Sequence, residues 1–358
     1  MQSSNYEFPR LSQAAVSRFH FLRLAAGALF PFVGWCLPAA AAANPELAQN
    51  SGADAKQAAG PGRAGAILVS EFGPVKIHSY LSPADGLQVN TQMIEGPNAV
   101  VIFDSQLLLP YAGEVASYVQ TLGKPVDRII LSHAHTDHWG GLQVLTEHFP
   151  GIRVFALEGI ADQIRAAGPA RLDGLRKNYG DKAASKVTVP TETIGEGLQR
   201  IDGVTYDFRR FVDAESDLQL VALLPEQKVM LAFDLVFSPK QHVFTGGKHP
   251  DHWLSALESL KALQGYDTII IGHDTPVDHS AIDSTMTYIK RAKEIRAASA
   301  NAKTYSEERL WCYPQNWEDI VLQAGVHSYF PMSLPLMIRY FMHGNRKIPR
   351  APYKDALP

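Results

Sequence analysis

Cysteine is scarce in this chain of 358 residues, with only Cys36 and Cys312 present. Charge of one sign is lacking too: 33 Lys and Arg stand against 36 Asp and Glu, a formal charge of −3. No basic stripe accompanies that balance, so nucleic acid is not an expected partner. No long repeat is visible, and beyond the first sixty residues nothing has the composition of a disordered segment. The composition is that of an ordinary globular protein, and the length allows a large core. One further absence matters below: no histidine occurs between His148 and His242.

The amino terminus departs from this ordinary pattern. Arg10, Arg18 and Arg23 precede an uncharged run from Leu24 to Ala43 that closes on consecutive alanines. A basic start, an apolar middle and small residues at the end predict a secretory signal over residues 1–43, cut near Ala43. There is no adjacent Arg pair, which favours the Sec route, and Trp35 makes a poor acylation context for Cys36. The expected location is the periplasm or the exterior, with membrane contact only during export. The same run is just long enough to span a bilayer, so an anchor over residues 24–43 is the alternative. Pro31, Pro38 and the alanines favour cleavage. Cys312 would then be the single thiol, without an internal disulfide partner. Its neighbours Leu310, Trp311 and Tyr313 suggest a buried one.

Residues 44–65, rich in Ala, Gly, Gln and Asn, read as a flexible leader. Strands are predicted over 66–72, 75–81, 90–95, 100–103, 128–131, 154–157, 187–189, 198–201 and 204–211. A hairpin follows, 218–224 and 229–233 around a four-residue polar turn. A last strand spans 268–271. Helices are predicted over 111–122, 160–179, 253–263 and 280–300, the first ended by Gly123. The domain is expected to run over 66–300, with a helical extension over 301–358 that Pro314 and Pro331 interrupt. Two groups of strands, each apolar enough to be covered on both faces, suggest two packed sheets flanked by helices.

The chemistry is concentrated in His133-Ala134-His135-Thr136-Asp137-His138, followed at once by Gly140-Gly141. Imidazoles with a carboxylate suit Zn²⁺ or a similar first-row ion. The cluster follows a short apolar strand and precedes a helix. It therefore lies at a carboxyl strand end, where α/β folds place their chemistry. This His-x-His-x-Asp-His string resembles the signature of the metallo-β-lactamase-fold hydrolases. The resemblance runs from about Asn90 to about Pro276. It implies an αβ/βα four-layer sandwich with a dinuclear metal site at one edge.

Two ions need more ligands than the cluster supplies. Asp234 ends the apolar run Val229–Phe233, and the resemblance implies that it bridges the two metals. His273 follows the strand 268–271 and resembles the last metal ligand of the family. The third is a departure. Most members place a His upstream of the hairpin, and this chain has none there. Ten positions before Pro225 stands Glu215, an acceptable Zn²⁺ ligand. The alkylsulfatase branch has Glu at a similar separation, so Glu215 is assigned; Asp213 and Asp217 are the alternatives. The resemblance then implies His133, His135 and Glu215 on metal one, Asp137, His138 and His273 on metal two, and Asp234 between. The ions are expected to be zinc, with Mn²⁺ or Fe²⁺ as alternatives that tolerate the extra carboxylate. His148, His249 and His252 read as solvated, and Asp251 as a helix cap. Phe237 and His242 are candidate substrate contacts.

Two adjacent divalent ions lower the pKa of a shared water, and the hydroxide attacks an electrophilic centre. Asp137 would orient it and shuttle its proton, with Asp234 as the second catalytic carboxylate. The expected activity is hydrolysis of an ester, lactone or related bond. Aromatic residues near the site (Trp139, Phe237, Phe244 and Trp253) suggest a small-molecule substrate with an apolar portion. β-Lactam or sulfate-ester hydrolysis are alternatives. Against the first stand Glu215 and the long tail; against the second, the lack of room for the branch's extra domains. Phe237 stands where the acyl-homoserine lactonases carry a Tyr. An iron-dependent oxidoreductase of the same fold is the reading from another class, and a non-catalytic metal-binding protein a third.

Overall fold

The computed structural model describes residues 56–57, 63–238 and 249–299. The export segment over 1–43, His242, Phe244, Cys312 and the tail over 301–358 lie outside these residues.

Strand β1 (Lys56–Gln57) opens an eight-stranded sheet. It continues through β2 (Ala66–Phe72), β3 (Val75–Leu81), β4 (Asn90–Glu95) and β5 (Val100–Phe103), all antiparallel. The sheet then turns parallel through β6 (Val126–Ile130), β7 (Arg153–Ala156) and β8 (Glu192–Thr193). The change has a plain cause: parallel neighbours need a crossover, and helices supply it. Helix α1 (Leu109–Thr121) leads into β6, α2 (Thr136–Trp139) and α3 (Leu142–His148) into β7, and α4 (Ile160–Tyr179) towards β8. Gly123 stands one residue past the α1 cap at φ 68°, the left-handed position that ends a helix.

The second sheet has five strands in the order β13-β12-β11-β10-β9. These are β9 (Gly197–Ile201), β10 (Val204–Val212), β11 (Leu218–Leu224), β12 (Val229–Phe233) and β13 (Thr268–Ile271). β11 and β12 form the predicted hairpin, and β13 pairs parallel to β12. Helices α5 (Pro250–Lys261) and α6 (Ser280–Ser299) flank this half. Phe103 of β5 meets Tyr206 of β10 and Phe233 of β12, with ring centroids 6.0 and 5.8 Å apart. The sheets therefore face each other across one core, the αβ/βα sandwich. Every residue of β11 and β12 is buried. Each large apolar side chain so buried contributes roughly 1.5–3 kcal/mol relative to exposure. Among the described residues no helix is long and apolar enough to cross a membrane.

Three expectations differ. Val187–Val189 is not a strand; Val187 instead packs against Gly168 of α4, where a Cβ would lie 2.9 Å from it. The β-branched run satisfies its apolar demand on a helix, and β8 forms a few residues later. Asp251 is not the cap of α5: His249 holds that position, and Asp251 in the first turn pairs with Lys293 of α6. Part of the expected flexible leader is held. Lys56–Gln57 pair with β2, and the Glu114 carboxylate accepts the N–H groups of Ala64 and Gly65, both at 3.0 Å.

Candidate metal centre

The site forms where strands of both sheets end. β6 delivers His133 to His138, and the turn of α2 brings Asp137 and His138 back over the strand ends. From the second sheet, Glu215 arrives between β10 and β11, Asp234 after β12 and His273 after β13. Non-glycine residues beside these ends with left-handed backbone include Asp104 at φ 60°, Asp213 at 51°, Phe233 at 48° and Asp274 at 75°. Such conformations are costly for side chains with a Cβ and cluster where function fixes the chain.

The seven predicted ligands gather as His133, His135, Glu215 and Asp234, and as Asp137, His138 and His273. Within each group the ligand atoms lie within 4.8 Å of one another. Glu215 Oε1 is 3.3 Å from His135 Nδ1, and its Oε2 is 3.7 Å from His133 Nε2. The alternatives Asp213 and Asp217 are in neither group. Asp234 spans both. Its Oδ2 is 3.8 Å from His133 Nε2 and 3.3 Å from the Nε2 atoms of both His138 and His273. Asp137 Oδ2 lies 3.6 Å from His138 Nε2 and 3.3 Å from His273 Nε2.

Electrostatics among these side chains follow from burial and proximity. Burial favours neutral His133, and the neighbours His138 and His135 push its pKa further, well below the usual value. Burial would also lower His273, but Asp234 and Asp137 outweigh it and raise the group to about 10. His138 is raised well above the usual value against burial, by Asp234, Asp137 and Asp104. Burial would raise Asp137 and Asp234, yet His138 and His273 hold both well below the usual carboxylate range.

A further set of groups fixes the ligands. Asp104, buried at the end of β5, accepts from Ser132 N and Ser132 Oγ, both at 2.7 Å, and pairs with His138 Nδ1 at 2.9 Å. Ser132 Oγ is also 2.9 Å from His133 Nδ1. The Leu87 carbonyl accepts from His273 Nδ1 at 2.8 Å. Second partners of this kind set the tautomer and aim the other nitrogen at the metal. The sequence reading did not assign Asp104 a role. The signal was available, because a carboxylate closing an apolar strand is the feature that singled out Asp234.

Phe237 is buried, stacked on His273 with centroids 6.5 Å apart and edge-on to Trp253 at 6.0 Å. Its ring backs a ligand instead of lining an open surface. Trp139 and Trp253 are buried as well. The aromatic hint of an apolar substrate portion therefore loses its described members. His148 and His252 are exposed, as expected.

The donor set fits two divalent ions. Nitrogen and carboxylate donors converge in two adjacent groups, and the buried Asp234 Oδ1 has no hydrogen-bond partner. An unpaired buried carboxylate oxygen is costly unless a cation meets it.

The metallo-beta-lactamase superfamily model matches residues 84–273, and the chain belongs to that superfamily. A linear primary-alkylsulfatase of Pseudomonas sp. (strain ATCC 19151) is 25% identical over 219 residues, 52% of this chain and 41% of that protein. The uncharacterized protein YobT of Bacillus subtilis (strain 168) is 40% identical over 70 residues, 20% of this chain and 30% of YobT. The chain thus spans about two fifths of the first relative and less of the second. Among solved structures, the inverting sec-alkylsulfatase Pisa1 from Pseudomonas sp. overlays with a TM-score of 0.52 at 18% identity. That overlay covers 76% of this chain and 49% of Pisa1. A metallo-beta-lactamase from Pontibacter korlensis gives 0.50 at 19% identity, covering 63% of this chain and 99% of that one. At such identities the two structures speak for the fold alone.

Proposed function

We propose that the protein is a hydrolase that uses two divalent metal ions to cleave an ester bond of a small molecule. The observation that carries this reading is the position of Asp234, one carboxylate oxygen within 3.8 Å of ligands from both groups. His133, His135 and Glu215 would hold one ion, Asp137, His138 and His273 the other, and Asp234 both. Zinc is the ion that donor set suits first, with manganese and iron as the alternatives. When bound, such ions lower the pKa of water and stabilise charge developing on oxygen. His138 and His273 favour the anionic form of Asp137, the form that can ligate an ion and orient water beside it. Ser132 and Asp104 hold His133 and His138 in orientation, and the Leu87 carbonyl does the same for His273.

A sulfate ester is the second reading, and one observation favours it. His135 and Asp137 have the most exposed side chains of the seven, at 23% and 17%. The opening therefore lies over residues 135–137. Arg171 of α4 reaches Thr136 Oγ1 at 3.5 Å in this opening. Among the described residues no carboxylate pairs with it. An anionic substrate group would meet that cation on entry. The alkylsulfatase relatives agree with the reading.

Metal analysis of the purified chain, followed by a panel of sulfate esters, carboxylic esters, lactones and β-lactams, tests both readings. Two ions per chain and turnover of an ester are expected. Turnover of none of them by the fully loaded protein would sink the hydrolase, and oxygen consumption by an iron form would install the oxidoreductase. We propose further that the enzyme works outside the cytoplasm, on the basic, apolar and small-residue order of residues 1–43. Amino-terminal sequencing should begin near Asn44, whereas an intact Met1 in membranes would support the anchor.

A further inference from the structure

Each sheet supplies part of the site, so their relative placement sets the spacing of the ligands. One joint between them runs through β11. Gln219 makes an isolated antiparallel bridge with His133, and the next N–H, of Leu220, donates to Ser132 O at 2.8 Å. Gln219 is fully buried in a strand whose other residues are all apolar. A buried amide without partners costs roughly 1–3 kcal/mol, so its partners matter. With its oxygen turned towards the end of β12, Gln219 accepts from Asp234 N at 3.1 Å and from Leu235 N at 3.2 Å. Those two N–H groups follow Phe233 directly, the residue held at φ 48°. An aromatic residue in that region persists only where its surroundings over-determine it. The Gln219 amide closes the turn that Phe233 opens.

We propose that Gln219 is a positioning residue of the dinuclear site. Its backbone is bridged to His133 and its side chain grips the backbone of Asp234. One residue thereby fixes the distance between a ligand of the first ion and the carboxylate shared by both. Gln219 itself belongs to neither ligand group. The inference rests on the dinuclear reading given above.

The test uses the full chain loaded with cobalt(II). Affinity is read by titration, and site geometry by the visible d–d bands and by electron paramagnetic resonance. Gln219→Met keeps the length but removes the acceptor. It should bind cobalt ~10–100-fold more weakly, the scale of lost support behind metal ligands, with altered bands. Gln219→Glu keeps acceptor oxygens and should recover most of both. Should Gln219→Met fail to fold, Gln219→Asn keeps the amide but not the reach, and the same losses are expected. A lowered melting temperature with wild-type affinity and bands would overturn the proposal and leave a merely structural role. Failure of the wild-type chain to take up a second ion would instead count against the dinuclear reading, and this inference with it.

Discussion

Asp234 Oδ1 lies against the α-carbon of Gly272. A Cβ built on Gly272 would overlap that oxygen, 3.0 Å from Asp234 Cγ and 3.2 Å from His138 Cε1. The shared carboxylate thus occupies space that only glycine leaves open, one residue before the ligand His273.

Gly272→Ala should consequently disturb the metal site more than the fold. Overpacking of this kind costs roughly 1–3 kcal/mol, and the neighbour it overlaps is the Asp234 carboxylate. Elemental analysis should show loss of most bound metal in a chain that still folds by circular dichroism. Full metal content in the alanine variant would mean that Asp234 is not held where it is needed.

Glu215 is where this chain leaves the common pattern of its superfamily. Glu215→Gln keeps the shape and loses the charge, and amide oxygen is a poor ligand beside carboxylate. One ion should weaken selectively, since Asp137, His138 and His273 are untouched. Activity should fall by at least ~10–100-fold. Glu215→His should restore binding better than Gln. Unchanged metal content and turnover in Glu215→Gln would redirect the search to Asp213 or Asp217.

Metal affinity should depend steeply on pH. Without an ion, His273 is raised to about 10 and His138 also lies well above the usual value. Both carry protons at pH 7, and both must lose them to ligate. Loading at neutral pH should therefore release protons, and affinity should fall as pH falls. The weakening should extend across the whole range below about 10, the value for His273. Calorimetry in buffers of different ionisation enthalpy counts the protons; none released would contradict the pairing of these histidines with Asp137 and Asp234.

Asp104→Ala leaves the His138 Nδ1 group and Ser132 without their acceptor. A buried network broken from one side costs roughly 1–3 kcal/mol, and lost support behind a ligand costs ~10–100-fold in metal affinity. Both a lower melting temperature and weaker binding are expected. Weaker melting alone, with wild-type affinity, would confine Asp104 to a structural role.

Arg171→Ala should raise KM for a sulfate ester and leave a neutral ester of the same alcohol almost unaffected. kcat should change little, because Arg171 stands at the opening and not among the ligands. Equal effects on both substrates would remove the argument for an anionic group at that position.

Much of this was written in the sequence because it is local. A strand's alternation, a helix's periodicity and Gly123 after α1 depend on neighbours a few residues away. The string from His133 to His138 needs no distant partner to be recognised as a metal loop. Asp234 and His273 could be found because each interrupts an apolar run at a strand end. Other decisions needed the packed chain. The spacing to Pro225 pointed to Glu215 but left Asp213 and Asp217 open; the meeting of the sheets brings Glu215 to His133 and His135. Phe237 appeared free to touch substrate, and the core claimed it behind His273. Asp104, Leu87 and Gln219 act on ligands far away in sequence, through hydrogen bonds that exist only once the two sheets have met. The sequence determined which chemistry was on offer. Tertiary structure decided which carboxylates and amides carry it, because ligation and support depend on distances of a few ångströms between residues that the chain itself keeps far apart.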